Sequence, residues 1–310
     1  MNPKARLRVL SVGVAVIDVV FHVKHFPTRA EKYRAERGEL TGGGGGANAA
    51  VAIARLGGEA SIAARIGDDD FAAMIETALE REGVAIDLLR RFEGRRSSFS
   101  SVLVDGAGER QIVNYRDMGL SFDAGWLAEE LRGRAFDAYL ADTRWPEGAA
   151  EAMRAAQRRN LPGVMDAEAP IEGTETALAA ASHVVFSAQG LRDFAGAEPD
   201  EADLVPLLRR AADDLPGLVG VTDGPEGVRW IEDGELRHER PPMPPGPITD
   251  TLGAGDIWHG ALALALAEGQ ASTRAMRFAN AAATLKCVGA TGREGAPRRA
   301  EVEALLATTG

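Results

Sequence analysis

The sequence predicts an α/β protein with a mostly parallel central sheet that is covered by helices on both faces. Apolar strands alternate with amphipathic helices, as in EASIAARIG before DFAAMIETALEREG and FDAYLAD before EGAAEAMRAAQRRN. The runs LPGVMDAE, ASHVVFSA and LPGLVGVTDG are bounded by turn residues, which is typical of strands buried on both faces. The segment RLRVLSVGVAVID, residues 6–18, is interpreted as the buried first strand, with Asp18 at its end.

Two segments, about residues 19–40 and 95–118, depart from this order. Their apolar and polar residues alternate, and DGAGE supplies the turn chemistry of a hairpin. Because they interrupt the α/β series, we interpret them as one small antiparallel sheet that forms a lid on a single domain spanning residues 1–310. The Pro-rich stretch RPPMPPGPITD is read as a short, stiff connector.

Composition limits the class of partner. The chain has 310 residues, 45% of them hydrophobic, and a formal net charge of −11, which disfavours binding to nucleic acids or anionic membranes. The single cysteine, Cys287, excludes an intrachain disulfide and fits a reducing cytoplasm. No apolar run is long enough to span a membrane, and the first residues lack a signal-peptide pattern. We therefore expect a cytoplasmic protein with small-molecule partners.

The stretch ITDTLGAGDIWHGALALALAEG, residues 248–269, carries the clearest chemical pattern. Gly253, Ala254 and Gly255 open a predicted helix, and Asp256 lies in its first turn. Free backbone N–H groups at the start of a helix can bind an anion, and a nearby carboxylate can accept a proton from a hydroxyl. Phosphoryl transfer to an alcohol needs both, although Asp256 could also be a simple helix cap.

Five consecutive glycines precede the helix in LTGGGGGANAAVAIARLGG, residues 40–58. The run has neither the GK[ST] ending of a P-loop nor the acidic residue of a dinucleotide fingerprint. We therefore expect these glycines to face a substrate rather than a phosphate, or else to form only a turn and a tight start to the helix.

DTLGAGD and GGGGGANAAVAIARLGG…ARIGDDDFA resemble the two signatures of the ribokinase-like (PfkB) carbohydrate kinases, in the expected order. The resemblance continues through DGAGERQIVNY, VTDGPEG and RFANAAATLKCVGATG, and so covers nearly the whole chain. It implies a ribokinase-like fold and an ATP- and Mg²⁺-dependent sugar kinase. Asp256 would be the general base, with a backbone anion hole at residues 253–256.

The same resemblance implies roles for further residues. Substrate hydroxyls would be bound by Asp18, Gly43, Gly44 and Asn48, and ATP by Ser187, Thr222, Gly224, Gly227 and Asn280. Asp250 matches a monovalent-cation ligand, which leaves activation by K⁺ open. Lids of this kind pair between subunits, so a homodimer is expected. Gly45 replaces a lysine of ribokinases, which disfavours ribose, and Ser187–Gln189 replaces a family Asn–Glu pair, which leaves the position of Mg²⁺ open.

Several stretches resemble bacterial 6-deoxy-6-sulfofructose kinases most closely, among them AEKYRAERGEL, VNYRD, ADTRWPEGA, FSAQGL and LKCVGATGREGAP. In that group a Lys, an Asn and an Arg bind the sulfonate, and they correspond to Lys32, Asn114 and Arg144. The resemblance implies phosphorylation of the C1 hydroxyl of 6-deoxy-6-sulfofructose. Fructose, fructose 6-phosphate, tagatose 6-phosphate and ribose are alternative substrates. A nucleoside kinase and a catalytically inactive sugar-binding regulator are alternatives of another class.

Overall fold

The computed structural model of the chain describes residues 6–106, 109–290 and 292–308. The strands are β1 Arg8–Val12, β2 Val16–His22, β3 Arg37–Gly43, β4 Glu59–Ile66, β5 Ala85–Arg91, β6 Phe99–Val104, β7 Arg110–Tyr115, β8 Ala138–Asp142, β9 Gly163–Ala167, β10 His183–Ser187, β11 Leu218–Thr222, β12 Val228–Glu232 and β13 Glu235–Glu239. The α-helices are α1 Gly45–Arg55, α2 Asp70–Arg81, α3 Gly125–Gly133, α4 Pro146–Arg159, α5 Glu175–Ala180, α6 Ala188–Ala195, α7 Leu204–Asp214, α8 Ala254–Ala267, α9 Ser272–Cys287 and α10 Arg299–Thr308. Ala107 and Gly108 of the predicted hairpin turn, and Thr291 of LKCVGATGREGAP, lie outside the described residues.

The central sheet has the strand order β13-β12-β11-β10-β9-β8-β1-β4-β5. All neighbouring pairs from β11 to β5 are parallel, and β12 and β13 add an antiparallel hairpin at one edge. Helices α1, α2, α8, α9 and α10 bury their apolar side chains on one face, and α3 to α7 on the other. The predicted α/β fold class is confirmed. Within the described residues, no helix is both long and apolar enough to cross a membrane.

Helix α8 is buried on nearly all sides, since it packs against both α1 and α9. Ile257, Ala261 and Ala265, which the sequence predicts on one face, are completely buried. A Cβ at Gly260 would lie 2.6 Å from the carbonyl oxygen of Ala49, so only glycine permits this close approach of α8 to α1. The packing holds the start of α8 firmly beside the start of α1.

The small sheet has the strand order β3-β2-β6-β7. Its two hairpins, β2–β3 and β6–β7, are antiparallel, and they join through a parallel β2–β6 pair. The first lid hairpin begins before and ends after the predicted segment of residues 19–40, because β2 starts at Val16 and β3 ends at Gly43. Residues 23–36, between these two strands, form a loop.

The interpretation of RLRVLSVGVAVID as a single strand is wrong. The stretch forms β1 in the central sheet and β2 in the lid, with a turn at residues 13–15. A Cβ at Gly13 would lie 2.1 Å from Oδ2 of Asp142, and the N–H of Val14 donates to that oxygen at 2.9 Å. Asp142 therefore fixes the point where the chain leaves the central sheet, and Asp18 lies within a lid strand.

Candidate active site

A cleft of about 430 Å³ lies between the lid and the carboxyl ends of the central strands. Ligands of parallel sheets bind at this edge. Its walls bring together eleven of the residues predicted from the sequence: Asp18, Gly44, Asn48, Asn114, Arg144, Ser187, Thr222, Gly253, Ala254, Gly255 and Asp256. Six others do not line it: Lys32, Gly43, Gly224, Gly227, Asp250 and Asn280.

The start of α8 forms the floor of the cleft. Gly253 is the N-cap in a left-handed conformation with φ of 78°. The N–H of Ala254 donates to the carbonyl oxygen of Thr251 at 3.2 Å. The prediction that this N–H is free to bind an anion is therefore wrong. The N–H groups of Gly253, Gly255 and Asp256 have no acceptor in the described part of the chain. Together with the positive end of the helix dipole, they can bind an anion, and this set of N–H groups is called the anion site.

Asp256 lies in the first turn of α8 and faces the cleft. Its Oδ2 accepts a hydrogen bond from Nδ2 of Asn48 at 2.7 Å. Burial, and then the charge of Asp166, raise the pKa of Asp256 to about 7, against the lowering effect of Asn48. A carboxylate with a pKa near neutrality is suited to accept a proton from a hydroxyl.

Asn48 has a second polar atom that points to a ligand. Its Oδ1 is buried and has no hydrogen-bond partner among the described residues. A buried polar atom without a partner is costly, and a hydroxyl bound in the cleft would satisfy it. Asn48 can therefore orient Asp256 through its amide nitrogen and a substrate through its amide oxygen.

The carboxylate of Asp142 and the backbone around it leave room only for small residues before α1. Asp142 is buried at the end of β8, and its carboxylate accepts hydrogen bonds from the N–H groups of Val14, Gly46 and Arg144. A Cβ at Gly46 would lie 3.0 Å from the Cα of Gly13. The glycine run thus packs closely on the turn between β1 and β2, while Gly42, Gly44 and Gly45 border the cleft. Asp142 was not predicted, although the carboxylate that ends FDAYLAD is a signal at this edge of the sheet.

Asp166 and Glu168 also line the cleft and were missed, although LPGVMDAE ends in both. Burial, with the neighbouring charges of Glu168 and Asp142, raises the pKa of Asp166 well above its usual range. Nδ1 of His259 lies 3.3 Å from Oδ2 of Asp166 and 2.9 Å from the carbonyl oxygen of Gly255.

These carboxylates fit the Mg²⁺ that the resemblance implies, since Mg²⁺ prefers oxygen ligands and is usually held by one or two carboxylates together with phosphate oxygens and water. The described residues contain no group of three or more His, Cys, Asp or Glu side chains that could hold a metal ion. Asp166 and Glu168 could therefore hold Mg²⁺ together with phosphate oxygens of ATP and water.

The lid contributes a row of polar residues. Thr41, Asp18, Ser100 and Asn114 are direct neighbours across the four strands. Burial raises the pKa of Asp18, against a hydrogen bond with Ser100 and the charge of Arg293. Gly43 packs directly against Asp18, since a Cβ at Gly43 would be 2.0 Å from Oδ2 of Asp18, and it does not line the cleft itself. Asp18 and Asn114 are two strand spacings apart, which is about 10 Å.

The end of the cleft near Asn114 is cationic. Alternate residues of β7 and the position after it line the cleft, namely Arg110, Ile112, Asn114 and Arg116. Nη2 of Arg144 donates to Oε2 of Glu168 at 2.6 Å. Arg116 has no hydrogen bond or ion pair in the described chain, and burial together with the charge of Arg144 lowers its pKa. Two guanidinium groups therefore lie close together, with the carboxylates of Glu168 and Asp142 beside them, and their N–H donors can bind an anionic ligand. Arg116 was missed, although the alternation in RQIVNYR marks it.

The predicted trio of Lys32, Asn114 and Arg144 is only partly brought together. Lys32 is exposed in the loop of residues 23–36 and makes no ion pair in the part of the chain that the structure describes. The loop leaves the lid sheet between β2 and β3, so the strand pairing that positions Asn114 does not position Lys32.

The predicted nucleotide residues divide into two groups. Ser187 and Thr222 end β10 and β11 and line the cleft. Gly224 and Gly227 form the turn before β12, where Asp223 N–H donates to the carbonyl oxygen of Gly227. The amide of Asn280 is buried, accepts from Nε1 of Trp258 at 2.8 Å and donates to the carbonyl oxygen of Glu239 at 2.9 Å. Asn280 thus links α9 to α8 and to β13, and one donor and one acceptor of its amide are used inside the protein.

An anion site, a partly buried carboxylate beside it and a lid that carries polar side chains define a phosphotransferase of the ribokinase-like fold. The chain belongs to the pfkB family of carbohydrate kinases, whose family model matches residues 6–297. It is an ATP-dependent sugar kinase.

Relatives across the family cover most of the chain. It is 27% identical to ribokinase from Bacillus subtilis, over 95% of this chain and 98% of the relative. It is 31% identical to fructokinase from Klebsiella pneumoniae, over 73% of this chain and 76% of that protein. The crystal structure of a provisionally assigned ribokinase from Agrobacterium tumefaciens superimposes with a TM-score of 0.91 at 34% identity, covering 98% and 99% of the two chains.

Proposed function

We propose that this sugar kinase transfers the γ-phosphoryl group of ATP to the C1 hydroxyl of a ketose with an anionic group at its far end, and that the substrate is 6-deoxy-6-sulfofructose. The observation that carries the proposal is the cationic end of the cleft, where Arg116 and Arg144 lie near Asn114. A sulfonate stays anionic at physiological pH, and guanidinium groups bind such oxyanions through paired N–H donors.

In the proposed reaction, Asp256 accepts the proton of the C1 hydroxyl as the oxygen attacks the γ-phosphorus. The bond from the γ-phosphorus to the β,γ-bridging oxygen breaks, and ADP leaves with its electron pair. The N–H groups of Gly253, Gly255 and Asp256 stabilise the charge on the transferring phosphoryl group. Asn48 holds Asp256 through its amide nitrogen and accepts a hydrogen bond from the sugar through Oδ1. Asp166 and Glu168 would hold the Mg²⁺ that accompanies ATP and neutralises phosphate charge.

The lid row supports the orientation of the sugar. Asp18 and Ser100 would bind the ring hydroxyls, and Asn114, about 10 Å away across two strands, would bind the sulfonate. Closure of the loop of residues 23–36 over the sugar would bring Lys32 to the same group and exclude water, which otherwise competes as phosphoryl acceptor.

We also propose a homodimer that forms through the outer face of the lid. Leu40 and Val113 belong to one row across the sheet, on the face opposite Asp18, and are 54% and 67% exposed. An exposed apolar face of this kind is typical of a protein interface. Sedimentation tests this proposal, and a monomer at micromolar concentration would contradict it. The single cysteine supports a cytoplasmic protein.

The experiment for the substrate compares initial rates of ADP release with ATP and Mg²⁺. The sugars are 6-deoxy-6-sulfofructose, fructose 6-phosphate, tagatose 6-phosphate, fructose and ribose, and adenosine is added because Phe99 and Tyr115 also line the cleft. We expect the highest kcat/KM with the sulfosugar. Preference for a phosphosugar would agree with an anionic group at the cationic end but contradict a sulfonated substrate. Preference for a neutral sugar or for adenosine would contradict both parts of the proposal.

Arg144→Ala sharpens this experiment. We expect it to raise KM for the sulfosugar far more than for fructose, because fructose has no group for the guanidinium to bind. Arg154→Ala is the matched control, since Arg154 is on α4, outside the cleft, and its ion-pair partner among the described residues is Glu151. Equal effects of Arg144→Ala on the two sugars would argue against a sulfonate contact.

A further inference from the structure

Lys286, on α9, is completely buried, which is rare for a lysine unless its charge is paired. Its ammonium nitrogen donates to the main-chain carbonyl oxygen of Asp250 at 2.9 Å and to Oδ2 of the same residue at 3.0 Å. A single residue therefore supplies both acceptors from two different groups. The lysine thus joins α9 to the chain segment that precedes α8.

The carboxylate of Asp250 is saturated with donors. Oδ1 accepts from the N–H of Leu252 at 3.0 Å and from the guanidinium of Arg110, and Oδ2 accepts from the N–H of Gly292 at 2.7 Å as well as from Lys286. Burial raises the pKa of Asp250, but the hydrogen bonds from Leu252, Lys286 and Gly292 outweigh it and hold the pKa below its usual value.

This cluster lies directly before the anion site. Asp250 and Leu252 form a tight turn that leads into Gly253, the N-cap of α8. The N–H of Ala254 closes the same turn by donating to Thr251. Because Lys286 holds Asp250 by its main chain as well as by its side chain, the ammonium controls where the turn, and so the start of α8, is placed.

The residues present do not fit the K⁺ that the resemblance implies at Asp250. A monovalent cation there would bind the carbonyl and carboxylate oxygens of Asp250, and the ammonium already contacts both of them. A further cation would also lie beside the charges of Lys286 and Arg110, and repulsion between like charges is strong in a buried site.

We infer that the ammonium of Lys286 takes the place of a monovalent cation, so that this kinase has its activating cation built into the chain and works without K⁺. Lys286 is a positioning residue, since it touches Asp250 and not the reacting atoms.

The first test uses the wild-type protein without substrate. Its melting temperature is measured in KCl and in tetramethylammonium chloride at equal ionic strength. A cation that binds only the native state raises the melting temperature. We expect equal values, and a stabilisation specific to K⁺ would overturn the inference. Because this test needs no sugar, it stands even if the proposed substrate is wrong.

The second test measures ADP release in the same two salts with whichever sugar the protein phosphorylates fastest. We expect the wild-type rate to be the same in both. Lys286→Met keeps the apolar stem and removes the charge, so the turn before α8 loses its anchor, and kcat should fall about 100-fold, as for a misplaced reacting group. Added K⁺ or NH₄⁺ should restore part of this loss, and tetramethylammonium should not.

Lys24→Met is the control for the second test, because it also removes one lysine charge but from a side chain that is 79% exposed. Full activity of a folded Lys286→Met protein without K⁺ would overturn the inference, and so would a loss that neither K⁺ nor NH₄⁺ restores. If this variant does not fold, the comparison of salts with the wild-type protein still decides the question.

Discussion

The two ends of the cleft are built in different ways. At the α8 end, the proposed functional groups are backbone N–H groups and a partly buried carboxylate, held by a helix that is packed on nearly all sides. At the lid end, they are the exposed side chains of Asn114, on the edge strand β7 of a four-stranded sheet, and of Arg116, just after that strand. Under the proposed function, the phosphoryl-transfer groups are therefore held in place by packing, whereas the groups proposed to recognise the sugar lie on exposed parts of the lid.

The largest effect is expected at the rigid end. Asp256→Asn keeps the size of the side chain and removes its ability to accept a proton, so kcat should fall about 1,000-fold or more. The melting temperature and the Kd for ATP should change little, because the N–H groups before and within the first turn of α8 remain. Steady-state kinetics and calorimetry measure these quantities, and a variant that retains full activity would rule out Asp256 as the base.

A smaller effect is expected at the cationic end. Arg116→Ala should raise KM for the proposed sulfosugar about 10- to 100-fold, which corresponds to the loss of one hydrogen bond to a charged group. Its kcat, and KM for fructose, should stay nearly constant. Arg132→Ala, on the exposed surface of α3, is the matched control. If Arg116→Ala leaves KM for the sulfosugar unchanged, the cationic end does not bind the anionic group.

The pH dependence of kcat tests how Asn48 and Asp256 interact. The base must be deprotonated, so we expect kcat to rise with pH through about 7 and then to level off. Asn48 donates a hydrogen bond to the charged carboxylate and thereby lowers its pKa. Asn48→Ala should therefore shift the midpoint to higher pH. An unchanged midpoint, in a variant that still turns over, would contradict this coupling.

The sequence also predicts the α8 end of the cleft better than the lid end. Asp256 and the glycines before it form one short local motif, so their positions at the start of a helix could be predicted without tertiary information. Ala254 was the exception, because its N–H is used by a turn that only the structure shows. The alternation of buried strands and helices was predicted for the same local reason, since most of these strands are separate apolar runs. Strand β5 and the β12–β13 hairpin were not predicted.

Contacts between distant segments were harder to predict. RLRVLSVGVAVID was interpreted as one strand because its hydrophobicity is continuous, whereas the break at Gly13 depends on Asp142, far along the chain. Arg116 reaches the cleft only through the pairing of β6 with β7. The hydrogen bonds of Asn280 to Trp258 and Glu239 likewise join distant segments, and its assignment to ATP by resemblance stays a prediction.

The smallest effect is expected for substitution of Lys32. This substitution tests directly whether the loop of residues 23–36 closes over the sugar. If the loop of residues 23–36 stays open, Lys32 remains a solvated surface charge and Lys32→Ala should leave KM for the sulfosugar unchanged. If the loop closes over the sugar, Lys32 contributes a salt bridge that is still partly hydrated, and we expect KM to rise by a factor of about 5. Lys24→Ala, in the same loop, is the control. An effect that is equal for the two variants, or equal for sulfosugar and fructose, would mean that closure does not bring Lys32 to the anionic group. In that case the anionic group of the sugar would be bound by Arg116, Arg144 and Asn114, without Lys32.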